Sequence, residues 1–163
     1  MSKKIILLIF VISVLFISGC VDKNTGLPQT ADSELIPQIN LPEGFSYIGL
    51  HETSVDISGS SEKALEGSYR YNGDDIYVQT IRSNDTASLI QKYKDIYKDA
   101  NYNPFEEVSF NGHKATQIKF YVTDYRGQQP RYTLIWAAKE HMIIVGSLSD
   151  NKTVMTLAIA TRY

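Results

Sequence analysis

Two Asn-Gly dipeptides, at residues 72–73 and 111–112, each separate a pair of runs rich in aromatic and β-branched residues. Asn and Gly both tolerate a positive φ, which tight hairpin turns require, so Asn-Gly between such runs is the strongest short hairpin signal. The first dipeptide predicts a hairpin over residues 65–82. The second joins FEEVSF to the alternating strand HKATQIKFYV. Much of the chain is thereby committed to antiparallel sheet.

The segments around these hairpins complete the predicted fold. SNDTASLIQKYKDIYKDANYNP has helical spacing of apolar residues, an N-cap at Asn84 or Asp85, and an end before Pro104. RYTLIWAA and MIIVGSL are apolar on both sides, which is typical of central strands covered on two faces. A short closing helix follows, capped by Ser149 or Asp150. The order predicts an α+β fold, a meandering antiparallel sheet of about six or seven strands with two helices packed on it.

The first twenty residues have a different pattern. Two lysines precede residues 5–19, which carry no charge and end at the only cysteine of the chain, Cys20. A positive n-region followed by an apolar h-region indicates a signal peptide, and the run is short of the ~20 residues that a membrane-spanning helix needs. The closing ISGC resembles the lipobox of bacterial and archaeal lipoproteins: a branched apolar residue, two small residues, then the cysteine that accepts the lipid.

That resemblance implies a lipid-anchored protein. Residues 1–19 would be removed as a lipoprotein signal peptide, and Cys20 would carry a diacylglyceryl or archaeal diether-type lipid, whose two chains hold a protein to a bilayer durably. The expected location is the extracytoplasmic face of the cell membrane. The alternative that remains open is an uncleaved signal anchor in which Cys20 is incidental.

The remainder divides into a tether and one domain. Residues 20–42 contain three prolines and many short polar side chains without a sustained period, which predicts a flexible lipidated tether. Residues 43–163 form a single α+β globular domain in this interpretation. Without Lys3 and Lys4, 14 basic and 18 acidic residues remain, a formal charge of −4. That acidity argues against nucleic acid as a partner, because phosphate binding needs a positive face.

A second resemblance concerns the domain. Its strand order, the sequence Asn111-Gly112-His113 with Ala115 before a long strand, and Trp136 in a late apolar strand are similar to the small PsbP/Mog1-like α+β domains of surface lipoproteins. The resemblance covers roughly residues 42–163. It implies a fold and no active site.

Metal ligands are the first chemistry to consider. The three histidines, His51, His113 and His141, lie far apart in the sequence, and a metal site would need the fold to bring them to Asp74 and Asp75. His113 and His141 fall at predicted turns, where exposed rings are the simpler explanation. NGDD lacks the spacing of a calcium loop and is explained by the hairpin. We expect no metal and no cofactor.

Catalytic motifs are equally absent from the sequence. There is no Gly-x-Ser-x-Gly elbow, and the phosphate-loop ending is missing from ISGSSEKALEG. Glu106 and Glu107 are adjacent on a predicted strand, so their side chains should point to opposite faces. We therefore predict no catalytic residues and no enzyme.

The aromatic and glycosylation candidates each have two explanations. Trp136 fits the core, and Tyr69, Tyr71 and Tyr77 fit sheet packing better than an outward binding surface. Asn84 and Asn151 begin the sequons NDT and NKT, candidate N-glycosylation sites that helix capping explains equally well.

The sequence combines a predicted anchor, a predicted tether and a domain without catalytic motifs. This combination predicts a non-catalytic binding or accessory module of an envelope protein complex. The alternatives are a small-ligand or metal-binding lipoprotein and a hydrolase of unfamiliar type. A deep pocket with convergent polar groups would favour the alternatives, and an exposed aromatic patch would favour the binding module.

Overall fold

The computed structural model describes residues 32–148 and 150–163. The predicted signal peptide, Cys20 and the first part of the predicted tether lie outside the described residues. The elements are a 3₁₀ turn (Ser33–Leu35), β1 (Phe45–Ile57), β2 (Ser60–Tyr71), β3 (Asp74–Arg82), α1 (Thr86–Asp95), β4 (Phe105–Phe110), β5 (His113–Asp124), β6 (Gly127–Ala138), β7 (His141–Leu148) and α2 (Asn151–Ala160).

The seven strands form one antiparallel sheet in the order β1-β2-β3-β7-β6-β5-β4. Two meanders, β1 to β3 and β4 to β7, meet where β3 pairs with β7. The connection through α1 carries the chain from the centre of the sheet to its far edge. The predicted α+β fold with six or seven strands and two helices is confirmed.

Both Asn-Gly dipeptides occupy hairpin turns. The φ angles are 50° and 88° at Asn72 and Gly73, and 49° and 78° at Asn111 and Gly112, the left-handed values that such turns need. A third turn of the same kind, with Ser58 at the first position, joins β1 to β2. Sequence analysis missed this hairpin because Ser-Gly is a weaker turn signal than Asn-Gly.

Each face of the sheet carries its own core and its own helix. On the α2 face, the helix buries its apolar side against Trp136, Leu134 and Val145. On the α1 face, Leu89 and Tyr93 pack against the opposite side of the same strands. Successive residues from Met142 to Val145 of β7 therefore enter different cores, which is why this stretch is apolar at every position.

Aspartates cap both helices. Asp85 accepts a hydrogen bond from Ser88 N at 2.9 Å at the start of α1. Asp150 accepts one from Lys152 N at 3.0 Å and another from the Thr153 hydroxyl at the start of α2. The Thr153 hydrogen bond lowers the pKa of the Asp150 carboxyl below its usual value.

The segment before β1 is packed on the sheet. Residues 32–42, which we call the strap, cross the α2 face and bury Leu35 and Ile36, which are 1% and 2% exposed. Tyr69 Oη donates to Pro37 O at 2.7 Å, and a Cβ at Gly67 would overlap Ile36 Cγ2. The structure differs here from the predicted domain start at residue 43. The packed domain includes the strap because buried apolar side chains and a buried phenol hold it in place.

Candidate functional site

The histidines and aspartates considered as metal ligands lie in separate places. His51 is 3.6 Å from Glu66 at the outer strands, and Asp75 accepts from Arg70 within the β2–β3 pair. His113 begins β5 beside the Asn111-Gly112 turn. Among residues 32–148 and 150–163, no group of three or more His, Cys, Asp or Glu side chains is placed to hold a metal ion.

His141 differs most from its predicted role. It was expected to be an exposed turn residue, but it is the first residue of β7 and only 6% exposed. Its Nε2 lies 2.8 Å from Asp32 Oδ1, so the start of the strap covers it. Sequence reasoning missed this because the partner, Asp32, is 109 positions away in a segment expected to be free.

The Asp32–His141 pair lies on the same face of the sheet as the hydroxyl of Thr80. His141 Nδ1 and the hydroxyl of Thr80 are buried without hydrogen-bond partners in the described structure. They lie on one face of the paired strands β3 and β7, but no hydrogen bond joins them. An Asp-His pair activates a hydroxyl only when the imidazole lies within hydrogen-bond distance of that hydroxyl and can take its proton. The hydroxyl must in turn be accessible to substrate. Here both atoms are closed from solvent, so the pair serves to fasten the strap.

Glu106 and Glu107 point to opposite faces of β4, as predicted. The first accepts from Gln117 Nε2 at 3.0 Å and the second from Thr116 Oγ1 at 2.9 Å. A cooperating pair of carboxylates is therefore not formed by these two residues.

Two depressions in the described surface are open grooves. The larger one, which we call the β1–β3 groove, has a volume of 780 Å³ and lies on the outer three strands beside the start of the strap. It is lined by Asp32, Glu52, Thr53, Ser54, Ser61, Glu62, Lys63, Ala64, Leu65, Thr80 and Arg82. A second, of 430 Å³, lies between the strap and the end of α2. Charged side chains of both signs line the larger groove. Its floor is formed by the strands of the sheet, so it is not an enclosed apolar cavity.

The most exposed aromatic side chains lie on a projecting hairpin. Residues 120–131, which we call the ribbon, pair with each other as the ends of β5 and β6, beyond the last residues paired with β4 and β7. Tyr125 at its tip is 93% exposed and Tyr121 is 42% exposed. At the base of the ribbon, Phe120 packs against the core of the α1 face and Tyr121 lies against Tyr102, with ring centres 5.4 Å apart. The three remaining residue pairs at ~3.4 Å each make a projection of about 10 Å.

Cations lie against both ribbon tyrosines. The Arg126 guanidinium is 5.3 Å from the ring centre of Tyr125, and the Lys119 ammonium is 5.2 Å from that of Tyr121. Arg126 also donates to Asp124 across the turn, which lowers the pKa of that carboxyl. Tyrosine and arginine together are the side chains enriched at the energetic centres of protein interfaces.

The tyrosines considered earlier as a surface are inside or half-buried. Tyr69 is fully buried and Tyr71 packs against Phe45 with ring centres 4.7 Å apart. Trp136 is 1% exposed, as expected for a core residue. The predicted packing role of these tyrosines is confirmed, and the exposed tyrosines lie on the ribbon instead. The available signal for the ribbon was the length of β5, twelve residues beside the six of β4.

The sequon asparagines are both exposed and neither is an N-cap. Asn84 precedes the capping Asp85, and Asn151 follows the capping Asp150. The capping explanation is therefore wrong for both, and their glycosylation stays a prediction.

Comparison with known proteins adds little. No protein-family model and no curated protein matches the chain. A solved structure of a GTP-binding regulator from Thermotoga maritima is similar with a TM-score of 0.48 and 7% sequence identity, over 74% of this chain and 80% of that chain. A likeness this distant carries no argument, and the resemblance to PsbP/Mog1-like domains stays a prediction. Within the described ranges, neither helix has the length and apolar character to cross a bilayer.

Proposed function

We propose that the chain is a lipoprotein, anchored through Cys20 to the extracytoplasmic face of the cell membrane, whose domain is a non-catalytic binding or accessory module of an envelope protein complex. The anchor is supported by the sequence, where a positive start, an apolar run and two small residues lead to the only cysteine. The domain's role is supported by its surface.

The exposed ribbon carries the proposal. Tyrosine rings bury well against a partner at small entropic cost, and Tyr125 is almost completely exposed. The residue lies in the turn between two paired strands, with the guanidinium of Arg126 5.3 Å from its ring centre. A large aromatic ring exposed at the tip of a paired hairpin fits contact with another protein. The open grooves described above are less suited to enclosing a small molecule.

The anchor is tested by mass spectrometry of native protein extracted from membranes. We expect an N-terminal peptide that begins at Cys20 and carries lipid. A peptide beginning at Met1, with an unmodified Cys20 thiol, would contradict the anchor.

The binding role is tested by photo-crosslinking in native membranes. A photoreactive phenylalanine analogue replaces Tyr125, and in a matched variant it replaces Tyr163, the half-buried C-terminal residue. We expect one discrete protein adduct from position 125 and none from position 163. Recovery of no protein adduct from position 125 would count against the accessory-module role.

A further inference from the structure

The outer edge of β1 is long and uncovered by any described element. The strand has 13 residues and pairs with β2 along one side only. Its single irregularity is a bulge between Tyr47 and Gly49, after which the pairing runs without interruption to Ile57. The backbone N–H and C=O groups that point away from β2 are therefore available over about eight residues to pair with another strand.

The opposite edge of the sheet is built differently. β4 has six residues, two of which are the acidic Glu106 and Glu107. Beyond it, Pro104 O accepts from Lys119 N at 2.8 Å, so the incoming chain continues to cover the edge of β5. A short edge strand resists strand addition, whereas a long uninterrupted one permits it.

The side chains of the β1 edge define which strand would fit. Glu52 pairs in register with Leu65, which places its side chain on the α2 face, at the β1–β3 groove. It is exposed and has no hydrogen bond or ion pair within the described structure. By contrast, Asp56 Oδ1 accepts from Gly59 N in the turn. Glu52 is thus a free carboxylate that a basic side chain on an added strand could reach.

The other face of the same edge is less polar. Thr53 and Val55 are β-branched, half-buried and directed toward the α1 face, where Val55 packs against the core around Ile57. Branched side chains on an added strand would pack beside them as cross-strand neighbours.

We propose that residues 50–57 of β1 bind an extended segment of a partner protein as an eighth strand, with a lysine or arginine facing Glu52 and branched apolar residues on the other face. Backbone hydrogen bonds supply the affinity and the alternating side chains supply the selection. A second copy of this chain would bring the same acidic strand to the edge, so charge complementarity favours a basic partner. The inference deepens the proposed function, on which it rests, because it supposes a protein-binding module.

The test uses the full chain in detergent and a blocked peptide of about eight alternating valines and lysines, matched to the length of strand that such recognition needs. Binding is measured by fluorescence anisotropy, and its place by hydrogen exchange. We expect saturable binding with slower exchange confined to the amides of residues 50–57. A peptide N-methylated at alternate residues should lose binding, because it keeps the charge but lacks the strand donors.

The paired variants locate the contact. Glu52→Gln should weaken binding by about fivefold, the upper range for one exposed ion pair. Glu106→Gln removes a carboxylate from the other edge strand and should leave binding within about twofold, since charges far apart are screened.

Several outcomes would overturn the proposal. They are no binding, equal binding of the N-methylated peptide, equal effects of the two substitutions, or dimerisation of the chain through β1. None of these results bears on the N-terminal mass or on crosslinking from Tyr125, so failure of the edge site is distinguishable from failure of the proposed function.

Discussion

Ile36→Ala is the substitution that most directly tests whether the strap belongs to the folded domain. Ile36 is 2% exposed and lies over Gly67 of β2, where the missing side chain lets it approach the strand backbone. Leu35 beside it is equally buried and joins the same core as Trp136. If this packing holds the strap in place, truncation of Ile36 must lower the stability of the whole domain.

The expected loss follows from the atoms removed. Three carbons at about 0.8 kcal/mol each give about 2.4 kcal/mol of lost transfer free energy. A residual cavity adds to this, and measured Ile→Ala costs reach about 5 kcal/mol at rigid sites. Ile36 borders the 430 Å³ groove between strap and α2, so its surroundings can partly close in. We therefore expect a loss of about 2–3 kcal/mol in the free energy of unfolding.

The assay is urea unfolding followed by tryptophan fluorescence, because the single Trp136 lies in the core that Ile36 joins. Ile39→Ala is the matched control: Ile39 lies in the same strap but is 77% exposed, so the same truncation should cost less than about 0.5 kcal/mol. Equal small effects of both substitutions would refute the packed strap and restore a tether that extends to residue 42.

Three further predictions follow from the same contacts. Asp85→Ala should cost about 1 kcal/mol in urea unfolding, because α1 loses its N-cap, and an unchanged midpoint would contradict that role. Asp32→Ala should cost about 1–3 kcal/mol because it strands Nε2 of the buried His141. Asp32→Asn, which keeps an acceptor, should cost less, and the reverse order would contradict the contact. Burial raises the pKa of Tyr69 and Tyr93, so folding favours their protonated forms; their stabilisation is complete below pH ~10, the unfolded value, and is lost as pH rises above it. Unfolding free energies that stay constant from pH ~9 to ~11 would contradict this.

The elements that sequence analysis predicted correctly are those set by neighbouring residues. Asn-Gly turns, the cap at Asp85 and the doubly apolar β7 depend on local φ preferences, capping and periodicity. The number of strands and helices follows from these signals. The same signals predict that Trp136 lies in the core. Its strand is apolar on both sides, so both of its faces are covered and neither leaves the ring exposed to solvent.

The features that were missed depend on contacts between distant residues. The strap contains three polar or acidic residues before Leu35 and has no strand or helix period, so its sequence resembles a linker. Its place is fixed only by the surface it meets: Gly67 and Tyr69 belong to β2, and His141 belongs to β7, 70 or more positions further along the chain. The exposure of Tyr125 likewise depends on where the neighbouring strands end, which no local pattern of the ribbon records.

The packed strap also limits how far the proposed anchor lets the domain stand from the membrane. With a domain beginning at residue 43, 22 residues would follow Cys20 as tether; with the strap packed from Asp32, 11 residues separate them. At most about 3.6 Å per residue, the reach falls from about 80 Å to about 40 Å. A domain of this size has a radius of gyration of about 14 Å. The distance from the lipid headgroups to the far side of the domain is therefore at most the reach of the tether plus about one domain width. If the proposed anchor is present, a partner that contacts the ribbon or the edge of β1 has to present its binding surface close to the bilayer.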